Sequence, residues 1–154
     1  DLIAQSSEQE LADIIYKYSE ERYSRRIARN IKAMQPLTKV TNLKEAVRRS
    51  TPPQKRHKTL ARVFQALRIA VNGELVKLEA FLDSFVNHLT LGGRVVIISY
   101  HSLEDRMVKH TFRALKKAGM LKVLTKKPIT PTEYEIAQNG RSRSAKLRAA
   151  EKVA

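Results

Sequence analysis

The stretch Gly92-Gly93-Arg94-Val95-Val96-Ile97-Ile98-Ser99-Tyr100-His101-Ser102-Leu103-Glu104-Asp105-Arg106 constrains the fold of this chain more than any other. Two glycines release the backbone from a preceding helix, and residues 95–98 are an unbroken run of β-branched side chains. A short run that is apolar on both faces predicts a strand buried between layers, the usual state of a parallel strand in an α/β sheet. Polar residues follow at once and a helix opens. Ser102 is the expected N-cap, with Asp105 three positions on to complete a capping pair and favour the positive end of the helix. In open α/β sheets ligands gather beyond the carboxyl ends of strands, which puts Ser99, Tyr100, His101 and Ser102 on the working edge. The same residues also have a purely structural reading, with Ser102 and Asp105 as caps and Tyr100 and His101 closing the turn.

Charge is the strongest global signal. Thirty Lys and Arg against fifteen Asp and Glu leave a formal charge of +15, a balance suited to a polyanion, first of all nucleic acid. The charge is concentrated: residues 39–68 hold nine basic side chains and one acidic, and residues 122–152 hold eight and three. The 42% hydrophobic content over 154 residues supports a core for one domain or slightly more. With no cysteine and four scattered histidines, neither disulfides nor a metal site is expected. No run approaches the roughly 18 apolar residues of a membrane span, and Asp1-Leu2-Ile3-Ala4-Gln5 lacks the basic start of a signal peptide. The chain therefore reads as cytoplasmic, with no membrane partner.

Taken in order, Ser7-Glu8-Gln9-Glu10 is a capping box ahead of a helix with Leu11, Ile14, Ile15 and Tyr18 on one face. A second helix is predicted over residues 20–34, ending before Pro36. Tyr23, Ile27, Ile31 and Met34 form its apolar side, and Arg22, Arg25, Arg26 and Arg29 the opposite one. That basic side is either a solvated face or a phosphate-contacting one. A third helix is expected over residues 42–49, with Asn42 and Glu45 at capping spacing. The stiff basic segment 50–58 follows, and a domain boundary is placed there: residues 1–56 helical, 57–154 the second part. Phe64, Leu67, Val71, Leu75, Leu78, Leu82, Phe85 and Leu89 predict one long helix over 59–89, with Gly73 as a local weakness. Gln65, Arg68 and Asn72 flank that stripe, as structural pins or as substrate contacts. After the central strand come a helix over 103–118, a short strand over 121–125, a short helix near 132–135, and a cationic end that continues as an edge strand or a helix.

Ser99-Tyr100-His101-Ser102-Leu103-Glu104-Asp105-Arg106 resembles the Ser-Phe-His-Ser-Leu-Glu-Asp-Arg signature of the MraW-type ribosomal RNA methyltransferases. Three further blocks are similar to that family in order. Tyr18-Ser19-Glu20-Glu21-Arg22 with Arg25-Arg26-Ile27-Ala28-Arg29 matches a helix pair, with Ser19 in place of the usual glycine. Phe64-Gln65-Ala66-Leu67-Arg68-Ile69-Ala70-Val71-Asn72 matches a second block. Asn139-Gly140-Arg141-Ser142-Arg143-Ser144-Ala145-Lys146-Leu147-Arg148 matches the closing one, with Gly140 for proline. Upstream of the second block only Arg62 matches the family's His-Pro-Ala-Thr-Arg, and Lys58 stands where its histidine would be.

The resemblance implies an α/β chain that is the C-terminal part of a Rossmann-like methyltransferase fold, preceded by an all-helical insertion. It implies S-adenosyl-L-methionine as cofactor and N4 of a cytidine in small-subunit (16S) ribosomal RNA as target. Family proteins are about twice this long, and none of Gly73, Gly92, Gly93, Gly119 and Gly140 forms a Gly-x-Gly cradle. The cofactor site is therefore expected upstream of Asp1, in a half this chain lacks. Ser99, Tyr100, His101, Ser102 and Glu104 are expected to line the cytidine, Tyr100 by stacking and His101 by accepting or relaying a proton. Arg22, Arg25, Arg26, Arg29, Arg62, Arg68, Asn72, Arg141, Arg143, Lys146 and Arg148 are expected to hold the RNA. A homodimer is compatible with the sequence. The alternatives are a non-catalytic basic nucleic-acid-binding module and a helical partner-binding fragment using the apolar stripe.

Overall fold

A computed structural model describes residues 2–37 and 39–154. It divides into two compact units, Asp1–Glu74 and Leu75–Ala154. The first is wholly helical: α1 (Leu2–Gln5), α2 (Glu8–Ser19), α3 (Ser24–Ala33), α4 (Val40–Ser50) and α5 (Arg56–Asn72). Ser7 and Glu10 form the expected capping box, Ser7 Oγ accepting from the Glu10 N–H at 3.2 Å and Glu10 Oε2 from the Ser7 N–H at 2.7 Å. Helix α2 stops where Glu20 enters the left-handed region at φ 52°, its N–H closing on the Tyr16 carbonyl. The predicted second helix therefore starts later, at Ser24.

Leu11, Ile15, Ile27, Ile31, Val47 and Val63 fill the core of this unit, and Ala12, Ala28 and Ala46 let the helices approach. Burial of these side chains beats the modest intrinsic propensity of short helices. Lys32 reaches the carbonyls of Ile3, Ala4 and Ser6, satisfying the end of α1 with a cation where the helix dipole favours one. Asn42 is not the cap of α4. It sits in the first turn, and its Oδ1 accepts from the Lys39 N–H at 3.2 Å.

The expected long helix over 59–89 is two helices. Gly73 adopts φ 61° and ends α5 as a left-handed C-cap, its N–H bonded to the Ile69 carbonyl, and α6 (Glu74–Ser84) begins at once. Leu67 and Val63 of α5 lie in the helical core, whereas Leu78 and Leu82 of α6 belong to a second cluster. The apolar stripe thus serves two cores. For the same reason the units part at residue 74, whereas the basic segment near residue 56 suggested an earlier boundary.

The second unit holds β1 (Arg94–Ser99), α7 (Ser102–Lys117), β2 (Leu121–Val123), α8 (Glu133–Gln138) and β3 (Lys146–Lys152), in a three-stranded sheet of order β1-β3-β2. Gly93 is required by its turn: a Cβ there would lie 2.8 Å from the Thr90 carbonyl oxygen. Two expectations fail here. First, β1 is not a parallel strand buried on both faces. It runs antiparallel to β3, and its burial alternates: Val95 and Ser99 are buried, while Val96 and Ile98 are 58% and 51% exposed. Second, the cationic end is neither helix nor edge strand, because β3 is the central strand, pairing with both β1 and β2. The covered face packs Val95, Ala150 and Leu121 with Val108 and Phe112 of α7 and with Phe85. No helix among the described residues is long and apolar enough to cross a membrane.

Candidate functional site

The turn from β1 into α7 is built by a capping box one residue out of phase with the predicted one. His101, not Ser102, is the N-cap, and its Nδ1 accepts from the Glu104 N–H at 3.3 Å. Glu104 reaches back, its Oε2 accepting from the Tyr100 N–H at 2.9 Å and the His101 N–H at 3.4 Å. Glu104 Oε1 lies 3.4 Å from His101 Nε2. An Nδ1 that accepts carries no proton, so the neutral ring holds its hydrogen on Nε2, facing the Glu104 carboxylate. Protonating Nδ1 would break the cap. His101 is 9% exposed and Ser99 2%, whereas the Tyr100 ring is 54% exposed beside them. Ser102 occupies the first helical turn and is exposed.

One turn further in, Asp105 is not a cap either. It is buried and grips Arg148 of β3, whose Nε donates to Oδ1 at 2.7 Å and Nη2 to Oδ2 at 3.2 Å, while Lys146 Nζ stands 3.6 Å from Oδ2. Burial pushes the Asp105 carboxyl up, but the Arg148 hydrogen bonds and charge, with Lys146, outweigh it and hold the group below its ordinary range. Arg148 is thereby committed to the interior, and Lys146 in part. Arg141 and Arg143 lie exposed on the turn Gly140–Ser144.

In the helical unit Arg25, Arg26 and Arg29 are exposed on α3. Arg22 precedes it, donating to the Tyr23 hydroxyl at 2.8 Å with its guanidinium 4.9 Å from that ring's centre. Arg29 makes a loose pair with Glu8 at 3.4 Å, largely in solvent. Arg62 lies 3.6 Å from Glu21, a buried carboxylate that also accepts from the Thr59 hydroxyl at 3.0 Å. Arg68 and Asn72 are drawn together by Glu74, which accepts from Arg68 Nε at 2.9 Å and Nη2 at 3.2 Å and from Asn72 Nδ2 at 3.0 Å. Gln65 takes no part in this contact, and the Arg68 side chain stays 56% exposed.

These blocks are shared with proteins of known kinship. The sequence model of the MraW methylase family matches residues 1–153. The chain belongs to that family. It is 56% identical over 156 residues to the "Ribosomal RNA small subunit methyltransferase H" of Nostoc punctiforme, covering 99% of this chain and 51% of that relative. Proteins of the same name from Trichormus variabilis and Kosmotoga olearia are 56% and 50% identical, over 100% and 99% of this chain and 50% and 53% of theirs. The chain spans about half the length of the curated relatives it matches.

In this MraW-family chain the helical unit also carries a basic concavity that the sequence reading assembled only in part. Arg26, Arg48, Arg49 and Arg56, with Tyr23, Thr51 and Pro52, line a concavity of about 430 Å³. Helical periodicity marks only Tyr23 and Arg26 among them. The signal was present in the basic density of residues 39–68, but which of those cations converge depends on the packing of three helices.

Proposed function

We propose that the whole protein, of which this chain is a part, transfers a methyl group from S-adenosyl-L-methionine to N4 of a cytidine in 16S ribosomal RNA of the small subunit. The observation that carries this reading is the Ser99–Arg106 block: a family signature built as a rigid, reciprocal cap at the carboxyl end of β1, with one exposed aromatic ring beside it. The names of the relatives supply the ribosomal RNA and the methyltransferase chemistry.

The cofactor, when bound, supplies a methyl already activated on sulfur, so the protein's task is alignment. In this proposal the glycines of this chain do not supply its cradle. Gly73, Gly92, Gly119 and Gly140 face open space, and Gly93 abuts only its own turn. In this proposal the cofactor is held by sequence upstream of Asp1, and the second unit is the closing part of a Rossmann-like sheet, with the helical unit as an insertion. Val96, Ile98 and Ile129 support that assignment, since they leave apolar side chains uncovered on the sheet face opposite Val95 and Ala150.

For the RNA, Tyr100 offers a ring against which an unstacked cytosine can lie. Glu104 and His101 hold that turn in place, and His101, with Nδ1 engaged by the cap and Nε2 facing Glu104, is the proton-relaying group of this proposal. Arg22, Arg25, Arg26, Arg29, Arg62, Arg141 and Arg143 hold phosphates, and Arg148 is left out because it is buried against Asp105. Labelled methyl transfer by the full-length protein to small subunits lacking the modification tests the assignment. The labelled nucleoside should be N4-methylcytidine; label on any other position overturns the specificity. A second reading, a basic RNA-binding module without cofactor, rests on the +15 charge and the exposed arginines of α3, and predicts no transfer at all.

A further inference from the structure

We propose that the concavity between the α3 arginine face, the end of α4 and the start of α5 is a pocket for one phosphate of a single-stranded RNA backbone. The inference rests on the RNA-binding reading above and names the anchor point of that surface. The pocket is lined by Tyr23, Arg26, Arg48, Arg49, Thr51, Pro52 and Arg56, with no acidic residue among them. Its volume, about 430 Å³, accommodates a phosphate with its sugar.

The state of each guanidinium argues for an absent anion. Among the described residues, Glu45 is the one carboxylate bonded to the group. It accepts from Arg48 Nε at 2.6 Å and Nη2 at 2.9 Å, and from Arg49 Nε at 2.9 Å. Those two pairs use one edge of each fork and leave Nη donors over. Arg56 donates Nε to the Thr51 carbonyl at 3.3 Å, which fixes its plane and leaves both Nη groups. The Arg26 side chain has no partner among the described residues. One negative charge thus faces four positive ones.

Helix placement sharpens the imbalance. Arg48 and Arg49 sit in the last turn of α4, where the dipole favours cations. Arg56 opens α5, the end where a cation is disfavoured, and no acidic residue occupies that first turn. An anion in the pocket would relieve both the repulsion among the arginines and that misplaced charge. Guanidinium forks match phosphate oxygens two at a time, which makes phosphate the fitting anion. Arg22, Arg25 and Arg29 continue the charge along α3 beyond the pocket, more surface than a free ion needs and what a polymer backbone would follow.

The test is anisotropy titration of a labelled short single-stranded RNA at several salt concentrations, with the melting curve of each variant recorded alongside. Arg26→Gln and Arg56→Gln should each weaken binding about tenfold. The double variant should lower the salt slope by about 0.7 in total, the value for one phosphate rather than two. Should Arg56→Gln melt early through loss of its Thr51 bond, Arg49→Gln replaces it: that side chain is 60% exposed and Glu45 keeps Arg48. A triple Arg22, Arg25, Arg29→Gln variant reports the outer face. If the triple variant weakens binding while the pocket variants match the wild type, the pocket assignment is wrong and the RNA reading stands. If the wild type shows no salt-dependent RNA affinity, both fall.

Discussion

Arg148 and Asp105 lock the central strand to the helix that follows the signature turn, through two hydrogen bonds of 2.7 and 3.2 Å in a buried setting. The pair joins residues 43 positions apart and sets the orientation of α7 on the sheet. Removing one partner leaves the other buried and uncompensated, which typically costs about 3–5 kcal/mol. Asp105→Asn and Arg148→Met should each lower the unfolding free energy from urea titration by an amount in that range, and the double variant should recover part of the loss. Additive losses would show that the two residues act independently.

The same pair has a pH signature. The Asp105 carboxyl titrates below its ordinary value of 3.8 in the folded chain, so the folded state favours its ionised form. Its contribution is fully present above the unfolded pKa and is lost as pH falls through the folded one. The stability gap between wild type and Asp105→Asn should therefore be constant near neutrality and shrink below about pH 4. A gap that widened in acid would mean the pair is not formed.

His101 separates two roles with two variants. His101→Ala deletes the cap and should cost about 1 kcal/mol of stability, with methyl transfer abolished in the full-length protein. His101→Asn restores a good N-cap but not the ring. Stability should return while transfer stays lost; recovery of both would reduce His101 to a cap.

Glu45 restrains the pocket. Hydrogen bonds from Arg48 and then Arg49 hold its carboxyl down at about 2, so it stays ionised and paired in any neutral buffer. Glu45→Gln removes the carboxylate that pairs with Arg48 and Arg49 and should tighten RNA binding a few-fold at low salt, with the gain fading as salt rises. Unchanged affinity would place the RNA elsewhere.

Much of the local architecture was legible in the sequence because it follows from local rules. The Ser7–Glu10 box and the apolar side of α3 need only neighbouring residues. What escaped was set by partners distant in sequence. Residues 95–98 are β-branched throughout, so composition could not reveal that β3 would take one edge antiparallel and leave Val96 and Ile98 outward. In β3 the core-facing residues are Arg148 and Ala150, a charged and a small side chain that give no apolar pattern to read. The cap shifted from Ser102 to His101 because a histidine Nδ1 can do what a serine oxygen does, an option preference scales rank low. The arginine pocket draws on α3, α4 and α5 together, and no single helix pattern contains it.

The most direct measurement is labelled methyl transfer from S-adenosyl-L-methionine to unmethylated small ribosomal subunits, by these 154 residues alone and then joined to an upstream cofactor half. The account predicts no transfer by the chain alone and transfer once the two are joined. Transfer by the chain alone would contradict it by placing the cofactor site within these residues, and no transfer by either would leave only the RNA-binding module.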